Sequence, residues 1–509
     1  MSLTRLRHWY QQQPPWYPPA VSAVVLWGAV IRIAHLSSGT LFRDDAWVAL
    51  TTRVDVATAW KMVGASPGYI MGMRTWIGMV GDSTWLMQLP TLAVSIAGLV
   101  AFVVLARWWG LSHFATTIGV ALLASSRIAV EYSTHLKPYS HDILMATVLL
   151  ASAAVAHRPR GRWIFAVACA VSLATSLTAV PLVLGLAATV VLRAIRHGHG
   201  RRLVAPGVVV GLPLAALTWL TARQISPRLH DSWQSNFIDF TSWRTALHST
   251  ISILRGLLWG LVDTTPNLRL PGIGTIVSVT LVALIGLGLC KRGRSTLPAA
   301  GLLVALVACA VGFIPLGTGR TDTYLYVPLL LLCGAGIDRV IATARHRTAR
   351  HLVIVALVAL ALVGVSDRTL HPRPYPGGDF RAVAAEAAST LNSGGAVLIE
   401  GTARWPWMYY VAPQVTLTFS DTYNTGFAPV VHQKNVVVMR GSQIEGGYNP
   451  AAAVNKLYGA PEILTIRADD WDVANPLAPA LNGACYISDR HRHMPGYYVD
   501  LWRHRCLPD

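Results

Sequence analysis

Charged residues are scarce in this sequence, and acidic residues are the scarcest. Only 13% of its 509 residues are charged, and 24 acidic residues stand against 42 basic ones, which gives a formal net charge of +18. Soluble domains carry about 25% charged residues, so this composition excludes an ordinary soluble protein. Many basic residues lie in short clusters between apolar runs. Such clusters set the orientation of membrane helices and bind lipid headgroups, so we expect no nucleic-acid partner.

Several common site signatures are also missing. The sequence has no G-x-x-x-x-G-K-[ST] loop and no H-E-x-x-H, which argues against a P-loop NTPase and a zinc protease of that type. Its six cysteines include no C-x-x-C pair, so we expect no structural zinc site. Cys485 and Cys506 lie in the polar C-terminal region, where we expect a disulfide; two free thiols are the alternative.

Apolar residues are abundant. They make up 53% of the sequence, and the mean hydropathy is +0.45. The pattern predicts a polytopic α-helical membrane protein with about eleven transmembrane helices. The first run is too long for a signal peptide and lacks a small-residue cleavage site, so we expect a signal anchor. The predicted spans are 19–37, 86–106, 112–130, 138–156, 163–177, 179–195, 203–222, 271–290, 297–316, 323–341 and 351–366.

The distribution of charge predicts the orientation. If the N-terminal segment 1–18 is cytoplasmic, the short inner segments carry Lys and Arg without Asp or Glu, as the positive-inside rule requires. Two long loops, 38–85 and 223–270, then lie outside. We expect Val48–Val63 to lie flat on the membrane as a helix, and Ala246–Leu261 to be amphipathic or re-entrant.

The character of the sequence changes near residue 370. A transmembrane domain, 19–369, is followed by a Pro- and Gly-rich linker and a soluble α/β domain, 370–509, which this orientation makes extracytoplasmic. The expected elements of this domain are a helix at Phe380–Leu391 and buried strands at Ala396–Glu400, Val415–Phe419 and Val436–Met439.

Two adjacent carboxylates, Asp44 and Asp45, follow the first span. Acidic groups at a membrane surface are costly unless they are solvated or used. They are candidates for a catalytic base or for ligands of a divalent cation. The alternative is that one of them only caps the following helix.

A second polar stretch, Glu131 to Asp142, joins two predicted spans on the outer side. His135 and Tyr139 lie four residues apart there, as do Lys137 and His141, so two polar faces can open toward one cavity. The alternative is that Lys137 and Tyr139 simply reach the membrane interface.

A third polar stretch, Gly317 to Pro328, contains Arg320 in a short outer loop and Tyr324 at the start of the next span. Topology does not explain an arginine on the outer side, and its guanidinium suits a phosphate. The alternative is a structural ion pair of Arg320 with Asp322 or with Asp44 or Asp45.

These stretches, taken in order, resemble the GT-C superfamily of polyprenyl-phosphate-sugar-dependent glycosyltransferases, especially its protein O-mannosyltransferase and lipid A aminoarabinose transferase branch. Asp44-Asp45 resembles that branch's Asp-Glu pair, and Ser66-Pro67-Gly68-Tyr69 is similar to its His-Pro-Pro-Leu-Tyr element. Gly81-Asp82-Ser83 and Gln88-Leu89-Pro90 resemble its Gly-Asp-Ser and Arg-Leu-Pro, Tyr132–Tyr139 its Tyr-Ser-Gln-Glu-Ala-Arg-Pro-Tyr, and Arg320–Pro328 its Arg-Tyr…Pro. The sequence departs from the pattern at Asp45, Gln88 and His135, which leaves the sugar and the acceptor open.

The resemblance implies a membrane glycosyltransferase that moves a sugar, with inversion, from a polyprenyl-phosphate donor to a hydroxyl of a cell-envelope glycan, lipid or protein. It would act on the outer face of a bacterial plasma membrane. Asp44 would be the general base, and Asp45 would orient Asp44, the acceptor or a divalent cation, Mg²⁺ or Mn²⁺. The donor phosphate would be bound by Lys137, Arg320, Tyr139 and His135, with support from Glu131, His141, Tyr324 and Tyr69.

Two other functions explain the spans and the buried charges. One is a transporter or flippase for a lipid-linked sugar, although the sequence lacks the repeated, interrupted spans of such transporters. The other is a non-catalytic scaffold for envelope assembly.

Overall fold

The computed structural model describes residues 14–505 except 38, 63–65, 82, 213–214, 217–226, 263–272, 291–294, 345, 373–374, 421–422, 424, 440–448, 469–474 and 476. Within this part of the chain, five helices are long and apolar enough to cross a membrane. They are α1 (Tyr17–Ala34), α5 (Thr84–Trp109), α12 (Trp243–Val262), α15 (Thr323–Thr343) and α16 (Arg347–Leu370).

Shorter helices stand between them. Four are apolar throughout or over most of their length: α6 (His113–Ser125), α8 (Tyr139–Val155), α13 (Ile273–Leu289) and α14 (Thr296–Ala310). The others are α7 (Arg127–Glu131), α9 (Pro159–Thr175), α10 (Val180–Arg196) and α11 (Pro227–Ser232), and a short helical stretch, Val204–Pro206, continues as π-helix over Gly207–Gly211.

The predicted spans largely coincide with these helices. Ten of them overlap α1, α5, α6, α8, α9, α10, α13, α14, α15 and α16. The span predicted at 203–222 falls partly outside the described residues, so the count of about eleven remains a prediction. The segment that we expected to be amphipathic or re-entrant forms α12, which is long and apolar enough to cross a membrane.

The first long loop contains three helices rather than one. They are α2 (Arg43–Leu50), α3 (Val56–Lys61) and α4 (Pro67–Val80). The expected helix Val48–Val63 is wrong, because the chain leaves α2 through a 3₁₀ turn at Thr51–Arg53 and starts again where the Asp55 side chain caps α3. Nor does α2 lie flat on a membrane: Val48 is fully buried in the protein.

The C-terminal region folds as an α/β domain. A mixed sheet has the order β4-β1-β5-β7-β6, with β1 parallel to β4 and β5, and a separate hairpin pairs β2 with β3. Its strands are β1 (Ala396–Ile399), β2 (Thr416–Phe419), β3 (Phe427–Val430), β4 (Val436–Val438), β5 (Glu462–Ala468), β6 (Tyr486–Met494) and β7 (Tyr497–His504), and its helices are α17 (Phe380–Asn392), α18 (Arg404–Tyr410), α19 (Pro450–Asn455) and α20 (Ala478–Gly483).

The expected helix and three strands of this domain are all present, but the expected burial of the second strand is wrong, because β2 is exposed or half-buried along its length. The strands that the sequence did not predict include β6, which is exposed along most of its length and therefore lacks a hydrophobic alternation. The predicted partner of Cys485, Cys506, lies outside the described residues, so this disulfide remains a prediction.

The C-terminal domain packs directly on the helices of the first long loop. One hydrophobic core contains Trp47 of α2 together with Phe380, Trp405 and Phe427 of the domain. A hydrogen bond from the backbone N of Leu41 to the Tyr410 hydroxyl (2.9 Å) joins the same parts of the chain. The domain therefore fixes the position of α2 and its acidic pair.

Two buried helices bring the other polar stretches together. The loop that contains Lys137 leads into α8, and the loop that contains Arg320 leads into α15. Because α8 and α15 pack against each other, the two loops meet at the same ends of these helices.

Candidate active site

The first turn of α2 carries Asp44 and Asp45. Successive side chains on a helix point about 100° apart, so the two carboxylates face different surroundings. Asp45 is fully buried, whereas the side chain of Asp44 is 37% exposed. The unpaired N–H groups of a helix start also favour negative charge at both positions.

Asp45 accepts hydrogen bonds from two other parts of the chain. Its Oδ1 accepts from the backbone N of Leu136 at 3.0 Å, and its Oδ2 lies 2.9 Å from Nδ1 of His135. The hydroxyl of Tyr375, in the linker to the C-terminal domain, donates to the same Oδ2 and accepts from the backbone N of Phe42. Both oxygens of Asp45 are therefore engaged by the protein, and the residue ties α2 to the loop at 132–138 and to the linker.

His135 is placed against Asp45 rather than beside the cations. Burial alone lowers the pKa of His135, but the Asp45 carboxylate more than offsets this, and the pKa is raised above its usual value. This favours a protonated imidazole that pairs with Asp45. Among the described residues, Nε2 of His135 has no hydrogen-bond partner. The role of His135 as a phosphate ligand remains a prediction.

Asp44 faces two cations. Nη1 of Arg320 lies 3.9 Å from Oδ2 of Asp44. Burial raises the pKa of Asp44, but the charges of Lys137 and Arg320 outweigh it and hold this pKa below its usual value. Asp44 is therefore ionised at neutral pH, and it is accessible.

Each cation lies over an indole ring. Nζ of Lys137 is 4.2 Å from the centre of the Trp47 ring, and the Arg320 guanidinium is 4.7 Å from the centre of the Trp233 ring. Such contacts stabilise a desolvated cation by up to about 2 kcal/mol. Burial lowers the pKa of Lys137 even though Asp44 raises it. The rings hold both charges in place without neutralising them.

Hydrogen bonds to the buried carboxylate of Asp322 hold the loop that contains Arg320. Oδ2 of Asp322 accepts from the backbone N of Gly317 (3.0 Å) and of Gly319 (3.2 Å), and Oδ1 accepts from the Thr321 hydroxyl at 3.0 Å. Burial raises the pKa of Asp322 to about 6, although these hydrogen bonds lower it.

The backbone of α12 lies directly against this loop. A Cβ at Gly256 would lie 2.4 Å from the carbonyl oxygen of Gly317, so only glycine allows this approach. The predicted alternative pair of Arg320 with Asp322 is not what holds Arg320, since the oxygens of Asp322 bind the loop itself. The other alternative, a pair of Arg320 with Asp44, is present at 3.9 Å.

The remaining predicted residues lie around this centre. The rings of Tyr139 and Tyr132 meet edge to face at 4.8 Å, and those of Tyr69 and His141 at 5.2 Å. Within the described part of the chain, no hydrogen-bond partner reaches the Tyr69 hydroxyl, Nδ1 of His141 or the buried Tyr324 hydroxyl. These polar atoms are available to a ligand or to water.

Glu131 lies on the other side of the 132–138 loop. Its Oε2 is 3.5 Å from Nε of Arg127, one helical turn earlier. The structure thus brings Asp44, Lys137, Arg320 and Tyr139 together and separates Glu131 from them.

The described residues contain no group of three or more His, Cys, Asp or Glu side chains arranged to hold a metal ion. Both oxygens of Asp45 are occupied by protein donors. Of the two carboxylates, only that of Asp44 can accept a further ligand, and it faces Lys137 and Arg320. The residues therefore do not fit the divalent cation that the resemblance allows for.

Sequence reasoning missed four residues of the site: Trp47, Trp233, Asp322 as a loop organiser, and Tyr375. Trp47 lies three residues after Asp44, on the same side of a helix, so spacing alone could have found it. Tyr375 stands in a Pro-rich linker, where no spacing rule points to a partner more than 300 residues earlier.

Comparison with solved structures identifies the fold. The chain is similar to ArnT from Cupriavidus metallidurans in the apo state (TM-score 0.55, 15% identity, 95% of this chain and 98% of that chain) and bound to undecaprenyl phosphate (TM-score 0.52, 13% identity, 94% and 97%). A weaker likeness links it to the Archaeoglobus fulgidus oligosaccharyltransferase in complex with Zn and sulfate (TM-score 0.47, 9% identity, 87% and 67%). No protein-family model and no curated protein matches the sequence. The likeness to ArnT over nearly the whole of both chains shows that this protein has an ArnT-like fold, as the resemblance in the sequence led us to expect.

Proposed function

We propose that this protein is a membrane glycosyltransferase that moves a sugar from a polyprenyl-phosphate donor to a hydroxyl acceptor on the outer face of the membrane. The main observation behind this proposal is that the Asp44 carboxylate is accessible and lies beside Lys137 and Arg320. A base next to fixed cations suits a reaction in which a hydroxyl loses its proton while a phosphate leaves. The fold shared with ArnT, which has been solved with undecaprenyl phosphate bound, supports a donor of this class.

The reaction is a single displacement. The acceptor oxygen bonds to the anomeric carbon, the bond from that carbon to the phosphate oxygen breaks, and the polyprenyl phosphate leaves with the electron pair. The acceptor proton passes to Asp44. Attack from the side opposite the phosphate inverts the anomeric centre.

Two features of the site suit this reaction. Phosphate is a good leaving group, so Lys137 and Arg320 need only stabilise its growing negative charge and no general acid is required. The lowered pKa of Asp44 keeps the base ionised. Because the acceptor hydroxyl becomes strongly acidic as its oxygen bonds to carbon, a weak base suffices late in the reaction.

The other residues of the site position the reacting groups or the sugar. Asp45, with His135 and Tyr375, holds the first turn of α2 at a fixed angle to the 132–138 loop. Tyr139 supplies a hydroxyl near Arg320, and the unpartnered atoms of His141 and its neighbour Tyr69, together with the Tyr324 hydroxyl, are donors or acceptors for the sugar.

The proposal includes the topology expected from the charge pattern: residues 1–18 are cytoplasmic and the domain 370–509 is extracytoplasmic. This places the acidic pair and both cations on the outer side, where the acceptor glycan, lipid or protein is found.

Mass spectrometry of envelope glycans tests the proposal. In cells that lack the protein, one sugar addition should disappear; the parent gene should restore it, and a gene carrying Asp44→Asn should not. An unchanged glycan profile in the deletion strain would refute a role in sugar transfer. Restoration by Asp44→Asn would refute the assignment of the base.

A further inference from the structure

A cavity of about 390 Å³ lies where the C-terminal ends of α1 and α16 meet α7. Ile31, Ala34 and Val130 form its apolar wall. None of Asp44, Lys137 and Arg320 is among its described lining residues, so it is separate from the candidate active site. The 132–138 loop lies between the two.

Two guanidinium groups line this cavity, and one of them is buried. The side chain of Arg368 is 5% exposed; its Nε donates to the carbonyl of Ser125 at 3.1 Å, and its Nη1 lies 3.6 Å from Asp367. Arg127, whose side chain is 34% exposed, lines the same cavity together with Glu131. Each arginine has one neighbouring carboxylate, Glu131 for Arg127 and Asp367 for Arg368. A guanidinium carries five N–H donors, so each keeps donors beyond that contact, and it is the side chain best suited to a phosphate.

The helices next to the cavity have long apolar faces without protein partners in the described structure. On α1, Leu26, Val30 and Ile33 follow helical spacing and are 65%, 61% and 51% exposed. On α16, Val355 and Leu362 are similarly exposed. Such faces on membrane helices contact acyl chains.

One hydrogen bond links α1 to α16 near the cavity. The indole Nε1 of Trp27 on α1 donates to the Thr369 hydroxyl at the end of α16 at 3.0 Å. The apolar faces therefore end at the cavity, next to its arginines, as the acyl chains of a lipid end at its phosphate.

We propose that this cavity binds the phosphodiester headgroup of an anionic membrane phospholipid such as phosphatidylglycerol. The phosphate lies against Arg127 and Arg368, and the acyl chains follow the exposed faces of α1 and α16. The inference is independent of the proposed sugar transfer.

A bound headgroup would also adjoin the loop of the candidate active site. His35 lines the cavity, and its Nδ1 lies 2.9 Å from the Thr134 hydroxyl. Thr134 precedes His135, the partner of Asp45. A lipid in the cavity therefore supports the loop from the side opposite Asp44.

Native mass spectrometry of the full-length protein in detergent tests this site. Phosphatidylglycerol and phosphatidylcholine with the same palmitoyl and oleoyl chains are added separately, and the fraction of lipid-bound protein is measured. We expect retention of phosphatidylglycerol over phosphatidylcholine, and about a fivefold loss of phosphatidylglycerol binding in Arg127→Gln, since one basic residue near an anionic lipid contributes about 1 kcal/mol.

Two further variants make the test specific. Ala34→Phe fills the cavity without changing its charge and should reduce binding as Arg127→Gln does. Arg244→Gln removes an exposed arginine at the start of α12 and should leave binding unchanged. Unaltered melting temperatures show that the variants are folded.

Three results would overturn the proposal. They are equal binding of the two lipids, parental binding by both Arg127→Gln and Ala34→Phe, and displacement of phosphatidylglycerol by millimolar inorganic phosphate, which would mean that the site recognises phosphate alone.

Discussion

Oδ2 of Asp45 lies 2.9 Å from Nδ1 of His135, inside the protein, while Asp44, the preceding residue, keeps its carboxylate accessible. Two adjacent carboxylates on one helical turn thus have different surroundings. Asp45 is surrounded by hydrogen-bond donors of the protein, and Asp44 faces cations. This difference favours Asp44 over Asp45 as the proton acceptor.

The first prediction separates stability from chemistry at this pair. Asp45→Asn should lower the melting temperature by several degrees, because it removes the buried carboxylate that pairs with His135 and accepts from Leu136 and Tyr375; breaking a buried pair costs about 3 kcal/mol. Asp44→Asn should melt within about a degree of the parent, since exposed ion pairs contribute little. Thermal unfolding followed by intrinsic tryptophan fluorescence measures both. Equal destabilisation by the two substitutions would contradict the division of roles.

The second prediction concerns pH and Lys137. Burial lowers the pKa of this lysine, so its charge is lost as pH rises through a value below the usual one of about 10.4. The KM for the donor should therefore rise at alkaline pH. Lys137→Arg keeps its charge there and should move this rise to higher pH. KM measured between pH 6 and 10 for both proteins checks this, and superimposable profiles would refute the role of Lys137.

The third prediction concerns Asp322. Its pKa is raised by burial to about 6, and the ionised carboxylate accepts from the backbone N–H groups of the loop. As pH falls through about 6, protonation of Asp322 places a hydrogen against the backbone N–H groups of the loop. The affinity for the polyprenyl-phosphate sugar should therefore weaken at acidic pH. Asp322→Asn should weaken it at every pH and remove the acidic change. The exposed Asp239, replaced by Asn, is the control; an acidic change that persists in Asp322→Asn would mean that another group titrates.

The fourth prediction compares two tryptophans that lie under arginines. Trp233→Ala removes the ring beneath Arg320 and should raise the KM for the donor about tenfold, which corresponds to the 1–2 kcal/mol of a partly desolvated cation–π contact. Trp243→Ala removes the exposed ring beneath Arg244 and should leave KM unchanged. Similar KM values for the two variants would show that Trp233 does not position the cation.

Local pattern and charge predicted much of this protein. Apolar runs predicted ten helices. The charge asymmetry predicts that Asp44, Lys137 and Arg320 lie on the same side of the membrane, and this orientation remains a prediction. The interior strand Ala396–Ile399 was predicted because it is buried on both faces, whereas β6 was missed because an exposed strand has no apolar alternation.

The partners of the acidic pair could not be predicted in the same way. Tyr375 reaches Asp45, and Phe427 reaches Trp47, through tertiary contacts of the C-terminal domain. Hydrophobic periodicity specifies which face of an element is buried but not which distant element covers it. The separate placement of Glu131 is local instead: it ends α7 and lies one helical turn from Arg127 on the same helix.

The most direct test of the proposed mechanism is sugar transfer by purified Asp44→Asn with a polyprenyl-phosphate sugar donor and the identified acceptor. Donor binding should stay within about threefold of the parent, since Lys137 and Arg320 are intact, while the transfer rate should fall by at least about 100-fold, the lower bound for loss of a general base. Transfer by Asp44→Asn at near the parental rate would contradict the central claim.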